Sequence, residues 1–276
     1  MTLTLRESLA ASPLPRLEAH LLWQRVLGVT RAWLIAHDAD PLDPARVAAY
    51  RALEARRAAG EPIAYILGHR EFFGRDFQVT PAVLIPRPDT ELLVECGLRA
   101  IRDVREPHVL DLGTGSGIVA VTLALERPDA RVRATDLSAE ALDVARKNAR
   151  DLGAKLLFSH GNWYDTELGS ARFDLIVSNP PYIDARDAHL GRGDLRFEPR
   201  GALTDEADGL RALREIVQGA PDHLAPGGIL CVEHGWDQAA AVRSLFLHRG
   251  FADVASERDL SGIERVTRGI LAARPS

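Results

Sequence analysis

An asparagine, two prolines and a tyrosine follow directly after the apolar run DLIVS at 174–178, as Asn179 to Tyr182. Proline has no backbone N–H and fixes φ, so this segment cannot continue as an ordinary strand or helix. A planar amino group is a poor nucleophile because its lone pair is delocalised. The side-chain oxygen of Asn179 and the carbonyl of Pro180 could accept hydrogen bonds from both N–H groups of such a nitrogen. The pattern therefore predicts a site that works by positioning an amide or amino group.

The two prolines, Pro180 and Pro181, would fix the direction of that carbonyl, and Tyr182 could cover the planar group. The nitrogen lone pair would then face an electrophilic methyl group without any strong base. We expect Tyr182 to be neutral, because an unperturbed tyrosine has a pKa of about 10. The alternative interpretation is a rigid proline turn that does no chemistry.

A glycine-rich turn, DLGTGSG at 111–117, follows another apolar run. Glycines let a backbone approach a ligand closely and adopt conformations that other residues disfavour. A dinucleotide fingerprint would have glycine at the position of Ile118, and no P-loop lysine is present. The turn thus indicates a nucleotide-like cofactor, and the alternative is a tight strand-to-helix turn. The candidate cofactor-binding residues in it are Gly113, Thr114, Gly115, Ser116 and Gly117.

Two further candidate residues follow predicted strands. Asp136, in ATDLS, could accept hydrogen bonds from both hydroxyls of a ribose. It could instead cap the helix that follows, as could Ser138. Trp163, in GNWYD, offers a flat face for an adenine ring, or else packs in the core.

The elements that must position these residues alternate between strand and helix from about residue 108 onward. That alternation predicts an α/β fold with a doubly wound, mostly parallel, seven-stranded sheet. Ligands of such sheets bind outside the carboxyl ends of the strands, where all the candidate residues fall.

The chain before this sheet is helical in pattern over about 1–60, with Asp43 and Pro44 as a predicted cap and first helical residue. Aromatic residues around Gly74 predict a hairpin at about 71–84 that links two domains. We therefore predict a small helical bundle in an N-terminal domain at 1–70 and a catalytic domain at 71–276.

Composition narrows the class of protein. The chain has 276 residues, of which 46% are hydrophobic and 26% charged, as in soluble globular proteins. No run is apolar enough to span a membrane, and we expect no secretion signal. We expect Cys96 and Cys231 to be reduced, buried thiols in a cytoplasmic protein. The net charge of −5 argues against binding nucleic acid mainly through phosphates. We expect a monomer, without a membrane partner or a metal site.

Together, DLGTGSG, ATDLS, GNWYD and NPPY resemble class I S-adenosylmethionine-dependent methyltransferases that act on amide or exocyclic amino nitrogens. More narrowly, EPIAYILGHREFFG at 61–74, VLIPRPDTE at 83–91 and SNPPYI at 178–183 resemble the HemK/PrmC family. The likeness covers most of the chain. Members of that family are glutamine methyltransferases of peptide chain release factors.

The resemblance implies a Rossmann-like methyltransferase fold and methylation of the side-chain amide of the glutamine in a release factor's Gly-Gly-Gln loop. It implies S-adenosyl-L-methionine as cofactor, S-adenosyl-L-homocysteine as product, and a helical domain that engages the protein substrate. Gly113–Gly117, Asp136 and Trp163 would bind the cofactor, and Asn179 would touch both cofactor and substrate. The implied catalytic and substrate-binding residues are Asn179, Pro180, Pro181 and Tyr182.

Two residues keep open roles in this comparison. Glu198, in RFEPRGAL, fits the family's pattern and could help hold the substrate loop. His234, in CVEHG, stands where we expect an apolar residue, which favours a structural position at a strand end over a base.

Three other functions compete with release-factor methylation. A glutamine methyltransferase for a ribosomal protein shares the NPPY logic, but IPRPDTE favours the release-factor branch. A nucleic-acid amino methyltransferase would usually extract its base from a stack, often with a basic recognition region, and we find no such region. A non-enzymatic nucleotide sensor is disfavoured because the glycine turn, Asp136 and Asn179 are all intact.

Overall fold

A computed structural model of the protein describes residues 3–168 and 172–272. The chain divides into two compact units, Met1–His69 and Arg70–Ser276. The outer ends of the two predicted domains, at 1–2 and 273–276, lie outside the described residues, as do 169–171.

The first unit is helical, as the apolar spacing predicts. Asp43 caps a helix through a 2.9 Å hydrogen bond from the Ala45 N–H to Oδ1, with proline at the first helical position. The rings of Trp23 and Tyr50 stack at 4.3 Å in the core of this unit. Its helices are α1 (Leu5–Ala11), α2 (Arg16–Leu27), α3 (Arg31–Ala36), α4 (Pro44–Ala58) and α5 (Ile63–Leu67).

The second unit carries the sheet. A two-stranded sheet of β1 (His69–Phe72) and β2 (Arg75–Gln78) forms the hairpin, and a short 3-10 helix at Pro88–Thr90 leads into α6 (Glu91–Ala100). The elements that follow are β3 (His108–Leu112), α7 (Ile118–Glu126), β4 (Arg131–Asp136), α8 (Ala139–Leu152), β5 (Leu157–His160), β6 (Phe173–Ser178), α9 (Arg200–Leu203), α10 (Arg211–Gly219), β7 (Leu224–Glu233), α11 (Ala239–His248), β8 (Phe251–Arg258) and β9 (Glu264–Leu271). Further 3-10 helices lie at Ala188–Gly191, Gly193–Phe197 and Ala220–Asp222.

The seven-stranded sheet has the strand order β5-β4-β3-β6-β7-β9-β8. The pairs among the first five of these strands are parallel, and β9 pairs antiparallel with both β7 and β8. This confirms the predicted α/β fold, in which a mostly parallel sheet follows a helical region along the chain. The central strands are nearly continuous apolar runs because helices cover both faces of a parallel sheet.

The order of the strands reverses between β3 and β6. From β3 the chain builds outward through β4 and β5, and it then returns to place β6 on the other side of β3. The two strands stay in register to their ends, where the Ser178 hydroxyl donates to the Leu112 carbonyl at 2.7 Å. Such a switch point opens a crevice beyond the carboxyl ends of the strands, which is where ligands of these folds bind.

Within the described part of the chain, no helix combines the length and apolar character needed to cross a membrane.

Candidate active site

A cavity of about 580 Å³ lies at this switch point, beyond the ends of β3, β4 and β6. Its volume falls in the range of small-molecule sites. Most of the residues singled out in the sequence line it, namely Gly113, Thr114, Gly115, Ser116, Asp136, Trp163, Asn179 and Pro181. Among the described residues, the lining does not include the other three candidates, Gly117, Pro180 and Tyr182.

The glycine turn takes a left-handed backbone path. Gly113, Gly115 and Gly117 have φ of 71°, 57° and 86°, a region in which a side chain is strained. A Cβ on Gly113 would lie 3.1 Å from the Trp163 ring, and one on Gly117 would lie 3.1 Å from the Cβ of Ala145. The absence of a side chain at Gly113 therefore leaves room for the Trp163 ring beside the cavity. The absence of one at Gly117 lets the turn pack against α8.

Asp136 organises the same turn. Its carboxylate accepts hydrogen bonds from the backbone N–H of Gly115 at 2.8 Å and of Ser138 at 2.9 Å. Ser138, rather than Asp136, caps α8 by accepting from the Ala141 N–H. Burial raises the pKa of Asp136 above its ordinary value. A carboxylate has about four lone-pair sites, so these two hydrogen bonds do not use all of them.

A second carboxyl, Asp111, lies beneath the turn and was not assigned a role from the sequence. It accepts from the Thr114 hydroxyl at 2.7 Å and from the Ala120 N–H at 3.2 Å, and burial raises its pKa to about 7. The signal for it was an acidic residue inside the otherwise apolar strand HVLDL.

Trp163 lies in a turn at 161–165 that follows the end of β5 at His160. Its φ is 47°, and its indole N–H donates to the carboxylate of Glu215 at 3.0 Å. The ring both lines the cavity and packs against the core beside β6 and β7. Core packing and ligand contact are thus not exclusive at this position. Glu215 was missed because it comes from α10, far along the chain.

Asn179 follows β6, the neighbour of β3 in the sheet, and lines the cavity. Its side-chain NH₂ donates to the hydroxyl of Thr90 at 3.1 Å, which leaves Oδ1 as the acceptor of the amide. Thr90 is 1% exposed and ends the 3-10 helix Pro88–Thr90. The sequence motif contained Thr90 but carried no sign that it would touch Asn179.

Tyr182 is not among the residues that line the cavity. Its hydroxyl donates to Oε1 of Glu233 at 3.1 Å, and its carbonyl accepts from the side-chain NH₂ of Gln238 at 2.9 Å. Burial raises the pKa of Tyr182 above its ordinary value, and the nearby Glu233 raises it further, so the phenol is neutral. Gln238 also donates to the carbonyl of Gly209, which joins the NPPY segment to a distant loop.

Glu198 and His234, whose roles the sequence left open, are both buried. Glu198 accepts from the Ile85 N–H at 3.0 Å and pairs with Arg87, so it holds the segment before Thr90. The His234 ring contacts the Gly235 carbonyl and the Thr267 hydroxyl, each at 2.9 Å. Burial lowers the pKa of His234, which favours the neutral ring.

Two family models match separate parts of the chain. Residues 4–68 match the model of the PrmC N-terminal domain, and residues 88–192 match that of the methyltransferase small domain. A release factor glutamine methyltransferase of Bordetella pertussis is 59% identical, over 98% of this chain and 100% of its own length. One from Burkholderia pseudomallei is 58% identical, over 97% of this chain and 96% of its own length.

Solved structures agree on the fold. A methyltransferase from Pyrococcus furiosus superposes with a TM-score of 0.55 at 19% identity, covering 79% of this chain and 98% of its own. The T. thermophilus 16S rRNA N2 G1207 methyltransferase, in complex with AdoMet and guanosine, has a TM-score of 0.54 at 23% identity. It covers 73% of this chain and 49% of its own. At these identities the likeness concerns the methyltransferase fold.

Proposed function

Since the chain belongs to the family of release factor glutamine methyltransferases, we propose that it methylates the glutamine in the Gly-Gly-Gln loop of peptide chain release factors. The methyl group comes from S-adenosylmethionine and goes to the side-chain amide nitrogen. One observation carries this proposal for the site: the glycine turn and Asn179 line the same cavity. A cofactor held by the turn and an amide held by Asn179 would therefore meet.

The cofactor end suits a nucleoside. The glycines at 113 and 115 allow a ligand to approach the backbone, Asp136 retains acceptor sites for ribose hydroxyls, and Trp163 offers a flat face to adenine. When bound, S-adenosylmethionine supplies an electrophilic methyl group and is released as S-adenosylhomocysteine. The residues of this chain then have only to orient the acceptor and to exclude water.

The acceptor end suits a neutral amide. Oδ1 of Asn179 is the free acceptor of its side chain, and the Pro180 carbonyl would take the second N–H of the glutamine amide. Holding both N–H groups orients the nitrogen without removing a proton first, which is catalysis by positioning. Asn179 and Pro181 line the cavity, while the roles of Pro180 and Tyr182 rest on the sequence resemblance.

We also assign the helical unit to engagement of the release factor, because residues 4–68 match the family's N-terminal domain. Because release factors act in translation, we propose that the enzyme works in the cytoplasm. The two cysteines, Cys96 and Cys231, are free and buried, which suits a reducing compartment.

The test is a labelled-methyl transfer assay with three substrates in parallel: an intact release factor, its loop variant with glutamine changed to alanine, and DNA. We expect label on the intact factor alone. Label on both forms of the factor would place the modified atom elsewhere, and label on DNA would support an amino methyltransferase of nucleic acid. A ribosomal protein fraction added as a fourth substrate separates the ribosomal-protein alternative.

A further inference from the structure

We propose that Thr90 and Glu233 are positioning residues that fix the orientation of the Asn179 side-chain amide, so that the acceptor site selects glutamine over glutamate. This inference deepens the proposed function and rests on it. The three residues come from separate elements: the 3-10 helix before α6, the residue after β6, and the end of β7.

The orientation of Asn179 decides which ligand its end of the cavity can hold. An asparagine amide presents an acceptor oxygen on one side and a two-donor nitrogen on the other, in nearly the same volume. With Oδ1 toward the cavity it accepts from the NH₂ of a glutamine and repels a carboxylate. With Nδ2 toward the cavity it would bind a glutamate instead.

Thr90 holds the nitrogen side of that amide. The Nδ2 of Asn179 donates to Oγ1 of Thr90 at 3.1 Å, and Thr90 is 1% exposed, so water does not compete freely for the hydroxyl. A hydroxyl can both donate and accept, however. Thr90 alone would therefore tolerate either orientation of Asn179.

Glu233 favours one of these two orientations of Asn179. Its carboxylate is 1% exposed, and Oε1 accepts from the Tyr182 hydroxyl at 3.1 Å. Oε2 has no hydrogen-bond partner among the described residues. Burial raises the pKa of this carboxyl to about 7, and the nearby Thr90 hydroxyl lowers it in part. An ionised carboxylate only accepts hydrogen bonds, so it draws the hydrogen of Thr90 toward itself. The Thr90 oxygen is then left to accept from Asn179.

The sheet keeps these groups together. β6 and β7 are parallel neighbours in which Ser178 pairs with Val232. Asn179, the residue after β6, therefore lies beside Glu233, the last residue of β7. A site whose polar groups match an amide leaves them unpaired against a carboxylate, and such mismatches can exclude an analogue very strongly.

The test measures binding of two forms of a release factor, with glutamine or with glutamate in the loop, to the full-length enzyme loaded with S-adenosylhomocysteine. Calorimetry is run above the Glu233 pKa of about 7, where the carboxylate is ionised. The quantity of interest is the ratio of the two dissociation constants. Methyl transfer to the glutamine form is measured in parallel.

Thr90→Val removes the hydroxyl at nearly constant volume, and we expect the preference for glutamine to fall at least about tenfold, the loss of one polar contact. Thr90→Ser, which keeps the hydroxyl, should retain the preference. In Glu233→Gln the new side-chain NH₂ can donate to Thr90, so the preference for glutamine should also weaken. This variant serves as the second test if Thr90→Val does not fold. Thr122→Val is the matched control, because Thr122 is equally buried and lies outside the cavity lining.

An unchanged ratio in folded Thr90→Val, or in Glu233→Gln where Thr90→Val does not fold, overturns the inference. The inference also fails if Thr122→Val weakens the preference as much as Thr90→Val, since the effect would then be one of general stability. Failure of the proposed function gives a different result: the parent enzyme itself would neither methylate the glutamine form nor prefer it.

Discussion

The proposed cofactor and acceptor ends of the cavity are built in different ways. The cofactor end is mostly backbone from one continuous segment, 113–117, whose N–H and hydroxyl groups donate to Asp136 and Asp111. The acceptor end is assembled from side chains that are far apart in the chain: Asn179 donates to Thr90, and Glu233 ends the strand beside Asn179. A substitution that changes backbone conformation should therefore affect the cofactor end most. A substitution that removes a single polar atom should affect the acceptor end most.

Each end also contains a buried carboxyl whose pKa is raised to about 7, but the two carboxyls differ in their partners. Asp111 accepts from the Thr114 hydroxyl in the turn and from the Ala120 N–H at the start of α7. Glu233 accepts from the side-chain hydroxyl of Tyr182. The contrast indicates that Asp111 holds the turn against its helix, whereas Glu233 contacts a side chain of the NPPY segment.

Among these variants, we expect Asn179→Ala to have the largest effect, a loss of turnover. It removes the amide acceptor from the cavity, and turnover should fall by about a hundredfold to a thousandfold, as when one positioned polar group is lost from an active site. Cofactor affinity should change much less, because the glycine turn and Asp136 are untouched. Initial rates and calorimetry with S-adenosylhomocysteine measure the two effects. Parent-like turnover would contradict the role of Asn179.

Gly209→Ala tests the backbone support behind the acceptor end. Gly209 has φ of 74°, and a Cβ there would lie 2.4 Å from the carbonyl oxygen of Tyr182. We expect a loss of about 3 kcal/mol in the free energy of unfolding, from backbone strain plus this overlap. Urea unfolding measures it.

Gly227→Ala is the control for that variant, because Gly227 has φ of 79° with nothing within 4 Å of its Cβ position. It should lose only the strain, about 1–2 kcal/mol. Equal losses in the two variants would show that the contact with Tyr182 is not a constraint.

Asp136→Ala should act on the cofactor end. It removes the acceptor for the Gly115 and Ser138 N–H groups together with the proposed ribose contacts. We expect the affinity for S-adenosylhomocysteine to fall by about tenfold to a hundredfold, with turnover at saturating cofactor less affected. Asp136→Asn, which keeps one acceptor oxygen, should lie between the two. An affinity equal to that of the parent would rule out the ribose role.

Asp111→Asn should remove a dependence of stability on pH. The folded pKa of about 7 exceeds the ordinary 3.8, so the native state holds a proton that the unfolded state has lost. The parent should therefore lose stability relative to the variant as pH rises from about 4 to about 7, by at most about 1.4 kcal/mol per pH unit. Urea unfolding across that window checks the sign. A difference that is flat with pH would contradict the raised pKa.

Predictions from the sequence were most complete where neighbours in the chain decide the structure. The strand, glycine turn and helix at 108–126 follow from a local pattern, since only glycine readily adopts the backbone path of the turn. The alternation of strands and helices likewise led to the seven-stranded, mostly parallel sheet. Trp163 was assigned to the cavity from its motif, but its left-handed backbone and its bond to Glu215 were not foreseen.

Only the tertiary structure decided the acceptor end. The motif NPPY predicts that Tyr182 covers the substrate; its hydroxyl bond to Glu233 and its place outside the cavity lining came only from the structure. Thr90 meets Asn179 across 89 positions of the chain, and Glu233 joins them because β6 and β7 are parallel neighbours. The sequence by itself determined which residue types stand at the ends of the strands. Which of them touch depends on strand order and register, which arise from packing of the whole sheet rather than from any local pattern.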